Sequence, residues 1–252
     1  MGKYVLGFAA ALALAAGFAR AWDDDFSKIE IKPAKVAGSI WMLEGAGGNI
    51  GASAGPDGLL IIDDQYLPLA DKITAALKGI SPDGKLAFVV NTHVHGNHTG
   101  GNRVFGKEAT IIAQENVRKR MSSKQERGGR TIDASPKEAL PVVTFEDGVS
   151  IWFNGEQIEI VHVPHGHTDG DAIVYFKGAN VVHMGDQYFN GMFPFIDTAS
   201  GGDVAGYIKN VAELKAFHTM LTSTSGIARD EIAKGMSLEE AKKAGLPDAW
   251  KS

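Results

Sequence analysis

The stretch Asn91-Thr92-His93-Val94-His95-Gly96-Asn97-His98-Thr99-Gly100-Gly101-Asn102 places three histidines within six residues, directly behind the apolar run Leu86-Ala87-Phe88-Val89-Val90. That run has the length and β-branched character of a buried strand. The histidines therefore fall on the loop at its C-terminal end, where ligand-handling groups converge in α/β sheets. In extended backbone alternate side chains point the same way, so His93 and His95 can reach one ion. His98, three residues on, is displaced toward a second position. A lone histidine is usually a satisfied core or surface residue; three at this spacing point to a metal.

Two further segments extend the pattern. His162-Val163-Pro164-His165-Gly166-His167-Thr168-Asp169-Gly170-Asp171 is a second histidine cluster, and Val181-Val182-His183-Met184-Gly185-Asp186 reads as a strand ending in Gly-Asp. The 252 residues include eight histidines and no cysteine, which excludes disulfides, thiolate zinc sites and cysteine nucleophiles. Metal chemistry here rests on His, Asp and Glu. An apolar fraction of 44%, a charged fraction of 22% and a formal charge of −5 are those of a globular protein and argue against a nucleic-acid partner.

Around these clusters, strands are expected at Ile29–Ile31, Ile40–Leu43, Leu59–Ile62, Thr110–Ala113, Val142–Phe145, Ser150–Phe153, Gln157–Val161, Ala172–Phe176 and Asn180–His183. Leu69, Ile73, Ala76, Leu77 and Ile80 keep a helical spacing, Gln114–Arg127 reads as helical, and helix dominates from Asp203. Gly45–Gly51 looks like a phosphate-cradling loop but leads into a strand, so a hairpin is expected there. The basic stretch Arg118–Arg130 reads as a solvated helix face and loop bordering the site. Strands interleaved with helices, without a long linker, indicate a single layered α/β domain over residues 22–252.

Residues 1–21 are read as an export signal: Lys3, an apolar run from Val5 to Ala19, and the small-x-small triplet Ala19-Arg20-Ala21 before Trp22. A transmembrane anchor is the competing reading, but the run is short for a bilayer and Asp23-Asp24-Asp25 follows at once. The expectation is a periplasmic or secreted protein with no stable membrane anchor. The sequence assigns no oligomeric state.

Taken together, the ordered motifs between Ile40 and Gly202 resemble those of the metallo-β-lactamase fold superfamily of zinc-dependent hydrolases, whose first motif has the form His-x-His-x-Asp-His. The resemblance implies an αββα sandwich with a metal site at one edge of its two sheets. It implies that His93, His95 and His167 hold a first zinc, and that His98 and Asp186 serve a second. For Asp63 it implies support of the histidine loop, against the plainer reading of a strand-end turn carboxylate. His162, His165 and His183 match no ligand position. Thr168 and Asp171 flank His167 as supporting candidates, and Tyr188, Asn190 and Phe193 either line a pocket or pack as ordinary loop.

The sequence departs from that family at two places. The motif aspartate is Asn97, the catalytic candidate here, and an amide is a weak zinc ligand and no proton acceptor. The family's last histidine has no counterpart, since the only later one, His218, reads as a helix interior. Gly201–Asn210 and Val211–Gly235 read as two helices from which an intervening strand and loop have been lost, and Ser237-Leu238-Glu239-Glu240 opens a last short helix. The sandwich is thus expected to lack a C-terminal strand, with one intact zinc site beside a weak or empty one. The function implied is an exported hydrolase that attacks a carbonyl of a small-molecule lactam, ester or thioester with zinc-bound hydroxide. The alternative is a degenerate, non-catalytic member that binds metal or ligand.

Overall fold

The computed structural model describes residues 25–127, 129–215 and 234–236. Its strands are β1 (Lys32–Ala37), β2 (Ile40–Glu44), β3 (Ile50–Gly55), β4 (Gly58–Ile62), β5 (Leu86–Asn91), β6 (Thr110–Gln114), β7 (Gln125–Arg127), β8 (Arg130–Ile132), β9 (Val143–Phe145), β10 (Gly148–Phe153), β11 (Glu156–His162), β12 (Ala172–Phe176) and β13 (Val181–His183). One sheet has the order β1-β2-β3-β4-β5-β6-β9 and a second the order β10-β11-β12-β13; β7 and β8 form a separate hairpin. The first four strands of the large sheet meander antiparallel, and β4, β5, β6 and β9 run parallel.

Strand β4 shows why this sequence makes a sandwich. All its side chains are buried, and a period of two sends Leu59 and Ile61 to one face, Leu60 and Ile62 to the other. The first pair packs against Ile73 and Leu77 of the helix at Ala70–Ile80 (α1) and against Leu69 just before it. The second pair meets Ile158, Ile160, Val174 and Phe176 of the small sheet. Each such side chain contributes about 1.5–3 kcal/mol on burial, so the two cores fix the stacking of the layers. Of the expected αββα sandwich, the described residues show the two facing sheets and the helical layer on the large sheet. On the outer face of the small sheet Trp152, Val161 and Val182 are exposed, and among the described residues no strand follows β13.

Four sequence expectations meet the structure differently. Ile29–Ile31, expected as a strand, lies ahead of β1 and is not part of any strand. The helix expected over Gln114–Arg127 spans only Glu115–Met121, and Gln125–Arg127 is instead strand β7. Ser122 and Ser123 both turn their hydroxyls onto the Lys119 carbonyl and end the helix, and Gly129 at φ +73 supplies the left-handed turn of the hairpin. The basic stretch is not simply solvated. Arg120 grips Asp169 through two bonds of 2.8 and 2.6 Å, and Arg118 donates to the Pro141 carbonyl. Residues 204–215 form one helical run across the point where two helices were expected to abut. The export signal, His218 and the helix opening at Ser237 lie outside the described residues.

Ile158 is fully buried between the sheets, whereas Trp152, on the neighbouring strand, is 75% exposed. Ile158→Ala is expected to cost about 2–5 kcal/mol in urea unfolding, and Trp152→Ala no more than about 0.5 kcal/mol.

Candidate metal centre

The site is built at the C-terminal ends of β4 and β5. Asp63, directly after β4, is 1% exposed and held at φ +62, a left-handed conformation that an L-residue other than glycine adopts at a cost of about 1–2 kcal/mol. In return its carboxylate gathers the histidine loop. The Thr92 amide donates to Oδ1 at 2.7 Å, and the Thr92 hydroxyl and His98 Nδ1 both donate to Oδ2 at 2.7 Å. Because the Thr92 proton goes to Asp63, its oxygen accepts from His93 Nδ1 at 3.0 Å. On the other side Gly185, at φ +51, lets the turn after β13 come so close to Thr92 that a Cβ there would stand 2.8 Å from the threonine Cβ. That approach delivers Asp186.

The remaining histidines are fixed by acceptors that have no proton to give. His95 Nε2 donates to Asp197 Oδ2 at 2.8 Å, and Asp197 is held in turn by the Ser200 hydroxyl at 2.7 Å and the Ser200 amide at 3.1 Å. His167 Nδ1 donates to the Phe195 carbonyl at 2.6 Å. The protons are therefore all on the outward nitrogens, and His93 Nε2, His95 Nδ1 and His167 Nε2 present bare lone pairs to one another. Separations are 3.1 Å between His93 and His95, and 2.8 Å between His95 and His167. Asp186 Oδ2 stands 3.4 Å from His167 Nε2 and 3.8 Å from His93 Nε2, and all four donor atoms lie within 4.8 Å of one another.

This donor set fits a metal ion. Converging lone pairs repel unless a cation lies among them, and zinc–nitrogen bonds of about 2.0–2.1 Å in a tetrahedron place the nitrogens about 3.4 Å apart. Burial, reinforced by neighbouring imidazoles, drives the His93 ring well below the ordinary histidine range and His167 down to about 4. Both are thus neutral, as ligands must be. Burial would raise the Asp186 carboxyl, but His98 and the other imidazoles hold it below its usual range.

His98 packs its ring 4.1 Å from that of His93, centroid to centroid, and turns its Nε2 toward Asp186. Its Nε2 is buried without a hydrogen-bond partner and lies 3.3 Å from Asp186 Oδ1. Burial opposes a charge there, yet Asp63 and Asp186 together push the ring up to about 10. Lying between these two carboxylates, the ring favours its protonated form. Asn97 is half-buried and donates its amide to the Gly47 carbonyl. Beside the four-donor cluster, His98 Nε2 and Asp186 Oδ1 are left facing each other.

The other sequence candidates take supporting or peripheral places. Asp171 accepts from the Thr168 amide, the Thr168 hydroxyl and Gln187 at 2.8, 2.5 and 2.6 Å, and burial raises its carboxyl to about 7. This network shapes the turn that presents His167. His162 bonds the Asp169 carbonyl and His183 the Asn49 carbonyl, while His165 is exposed. Tyr188 and Asn190 line a cavity of about 930 Å³ that His98, Asn97 and Asp186 also border; Phe193 is 97% exposed and is not part of it. Sequence reading missed Asp197 and the Phe195 carbonyl. Asp197 lies 102 positions from His95, and its only local mark is capping the turn Thr198–Ser200.

Comparison with known proteins follows the same lines. The family model of the metallo-beta-lactamase superfamily matches residues 70–242. A hydroxyacylglutathione hydrolase of Gloeobacter violaceus is 32% identical over 110 residues, which is 42% of this chain and 36% of that protein. The alpha subunit of a 2,4-dinitroanisole O-demethylase from Nocardioides is 22% identical over 159 residues, 62% of this chain and 46% of the relative. The chain thus spans less than half the length of these curated relatives. A solved metallo-beta-lactamase of Cronobacter sakazakii superposes with a TM-score of 0.61 at 16% identity, covering 74% of each chain.

Two outcomes are expected of the centre. Asp63→Asn should weaken zinc binding about 10–100-fold in a chelator competition. Because the folded His98 ring titrates at about 10 against an ordinary 6.5, its contribution to metal-free stability is full below 6.5 and lost as pH rises toward 10. Melting temperatures of the wild type in EDTA should show this loss, and His98→Gln should remove it.

Proposed function

The chain belongs to the metallo-beta-lactamase superfamily, and from that footing we propose an exported, zinc-dependent hydrolase that cleaves a lactam, ester or thioester carbonyl in a small molecule. The observation that carries the reading is the convergence of three unprotonated imidazole nitrogens, from His93, His95 and His167, beside the ionised Asp186. Zinc held there polarises a carbonyl and brings the pKa of water toward neutrality.

The chain's own residues do the rest. Asp197, Thr92 and the Phe195 carbonyl hold the three rings in register, which preorganises the centre. Asp186, ionised and facing the bare nitrogens, is the carboxylate placed to orient a nucleophile and take its proton. Asn97 cannot do so, being an amide already committed to the Gly47 carbonyl. The neighbouring cavity receives the substrate beside His98 and Asp186. Among the relatives, a hydroxyacylglutathione hydrolase is named for hydrolysing an acyl conjugate of glutathione, which supports a carbonyl substrate. Export rests on the character of residues 1–21.

Asn97 favours a second reading, a metal-binding member without turnover, because it leaves only two protein donors at the second position. Zinc analysis of the purified mature protein, with rates on nitrocefin, an aryl acetate and an acyl thioester, separates the two. The expected result is one tightly held zinc per chain, measurable hydrolysis of at least one substrate, and a gain of about tenfold with raised zinc content in Asn97→Asp. Two tightly held zincs in the wild type would overturn the one-site assignment. A zinc-loaded protein inert toward the whole panel would establish the non-catalytic reading.

A further inference from the structure

The cavity beside the metal centre does not stop at it. It continues past His183 to Ile40 and Met42 of β2 and to Val181 at the start of β13. The topology explains this extension. The small sheet ends at β13, among the described residues, and the His183 ring stands over Gly51 of β3, where an added Cβ would lie 3.0 Å from its Cδ2. The large sheet continues for two more strands, β2 and β1. Met42 pairs with Gly51 and Ile40 with Ser53 in register, so both side chains face the side on which the small sheet packs. A seam is left between β2 and the free edge of β13, open at one end to His98 and Asp186.

The lining of this seam selects its occupant. Among the described residues and away from Asp186 it holds no carboxylate, lysine or arginine; beyond His98 its walls are aliphatic, aromatic and thioether side chains with the His183 imidazole and a few neutral amides. Met42, Met184 and Met192 add unbranched, adaptable surface, suited to a chain of variable shape. We propose that the seam binds a neutral, extended apolar arm of the substrate, an acyl or alkyl chain whose reactive carbonyl lies at the metal centre, with Met42 and Val181 setting the preferred length. The assignment rests on the hydrolase reading, since what ties the seam to a substrate is its continuity with His98 and Asp186. A cavity of about 930 Å³ is far larger than an acetyl group requires.

The test uses zinc-loaded protein and p-nitrophenyl esters from acetate to octanoate, kept below their aggregation limits. kcat/KM is expected to rise about two- to fourfold per methylene until the seam is filled. The octanoyl-to-acetyl ratio should collapse toward unity in Met42→Glu, which places a charge in the seam, and fall less in Met192→Glu, whose 69% exposed position tolerates the charge without affecting folding. A flat chain-length profile in the wild type overturns the inference and leaves the hydrolase reading standing. Binding of octanamide against acetamide, measured by calorimetry, gives a readout independent of turnover. Octanamide binding by a protein that hydrolyses none of the esters, nor nitrocefin, nor the acyl thioester, supports the seam and sinks the hydrolase reading. No octanamide binding, or binding only after a dimer dissociates, overturns the seam as a substrate site.

Discussion

The whole site depends on where one buried carboxylate puts its two oxygens. Asp63 receives an amide, a hydroxyl and an imidazole, each at 2.7 Å, and it ends the strand whose side chains hold both hydrophobic layers together. The same few residues thus stitch α1 to one face of the large sheet, the small sheet to the other, and the histidine loop to the rim. A left-handed aspartate is costly by itself. It persists because three donors over-determine it, and the strain is repaid in the orientation of Thr92, His93 and His98.

Tautomers, more than proximity, make the cluster a ligand set. Four imidazoles could equally satisfy one another in a ring of N–H···N bonds. That outcome is closed off because Asp63, Asp197, the Phe195 carbonyl and the Thr92 oxygen each claim an outward proton. The rings of His93, His95 and His167, neutral, bare on the inward side and unable to reorient, form a centre whose free energy falls when a cation enters. The deprotonation that a ligand normally requires is already complete for His93 and His167, whereas the His98 ring favours its protonated form.

Much of this was legible in the sequence. The strand before the histidine loop, the His93/His95 alternation and the Gly-Asp end of β13 are local patterns, and local patterns survive in one dimension. The period of two in β4 was equally visible as a buried run. Asp197 and Phe195 could not be read, because a carboxylate and a backbone carbonyl acquire their role only by meeting His95 and His167 across the fold. The hairpin β7–β8 was hidden for another reason: its charged residues carry no apolar alternation, and its turn depends on the conformation of Gly129. Asn97 was recognisable as a departure, but its commitment to Gly47 is a matter of geometry.

The segment from Tyr188 to Phe195 carries largely exposed side chains, Met192 and Phe193 among them. Yet it is moored at both ends to the interior, by Gln187 on Asp171 and by the Phe195 carbonyl on His167. Its middle borders the cavity and its far mooring sets the tilt of a ring in the cluster. One short segment therefore supplies both part of the cavity wall and the acceptor that orients His167. A substitution along its middle thus acts on the shape of the cavity, and one at Phe195 changes only a side chain, because the bond to His167 is made by the backbone.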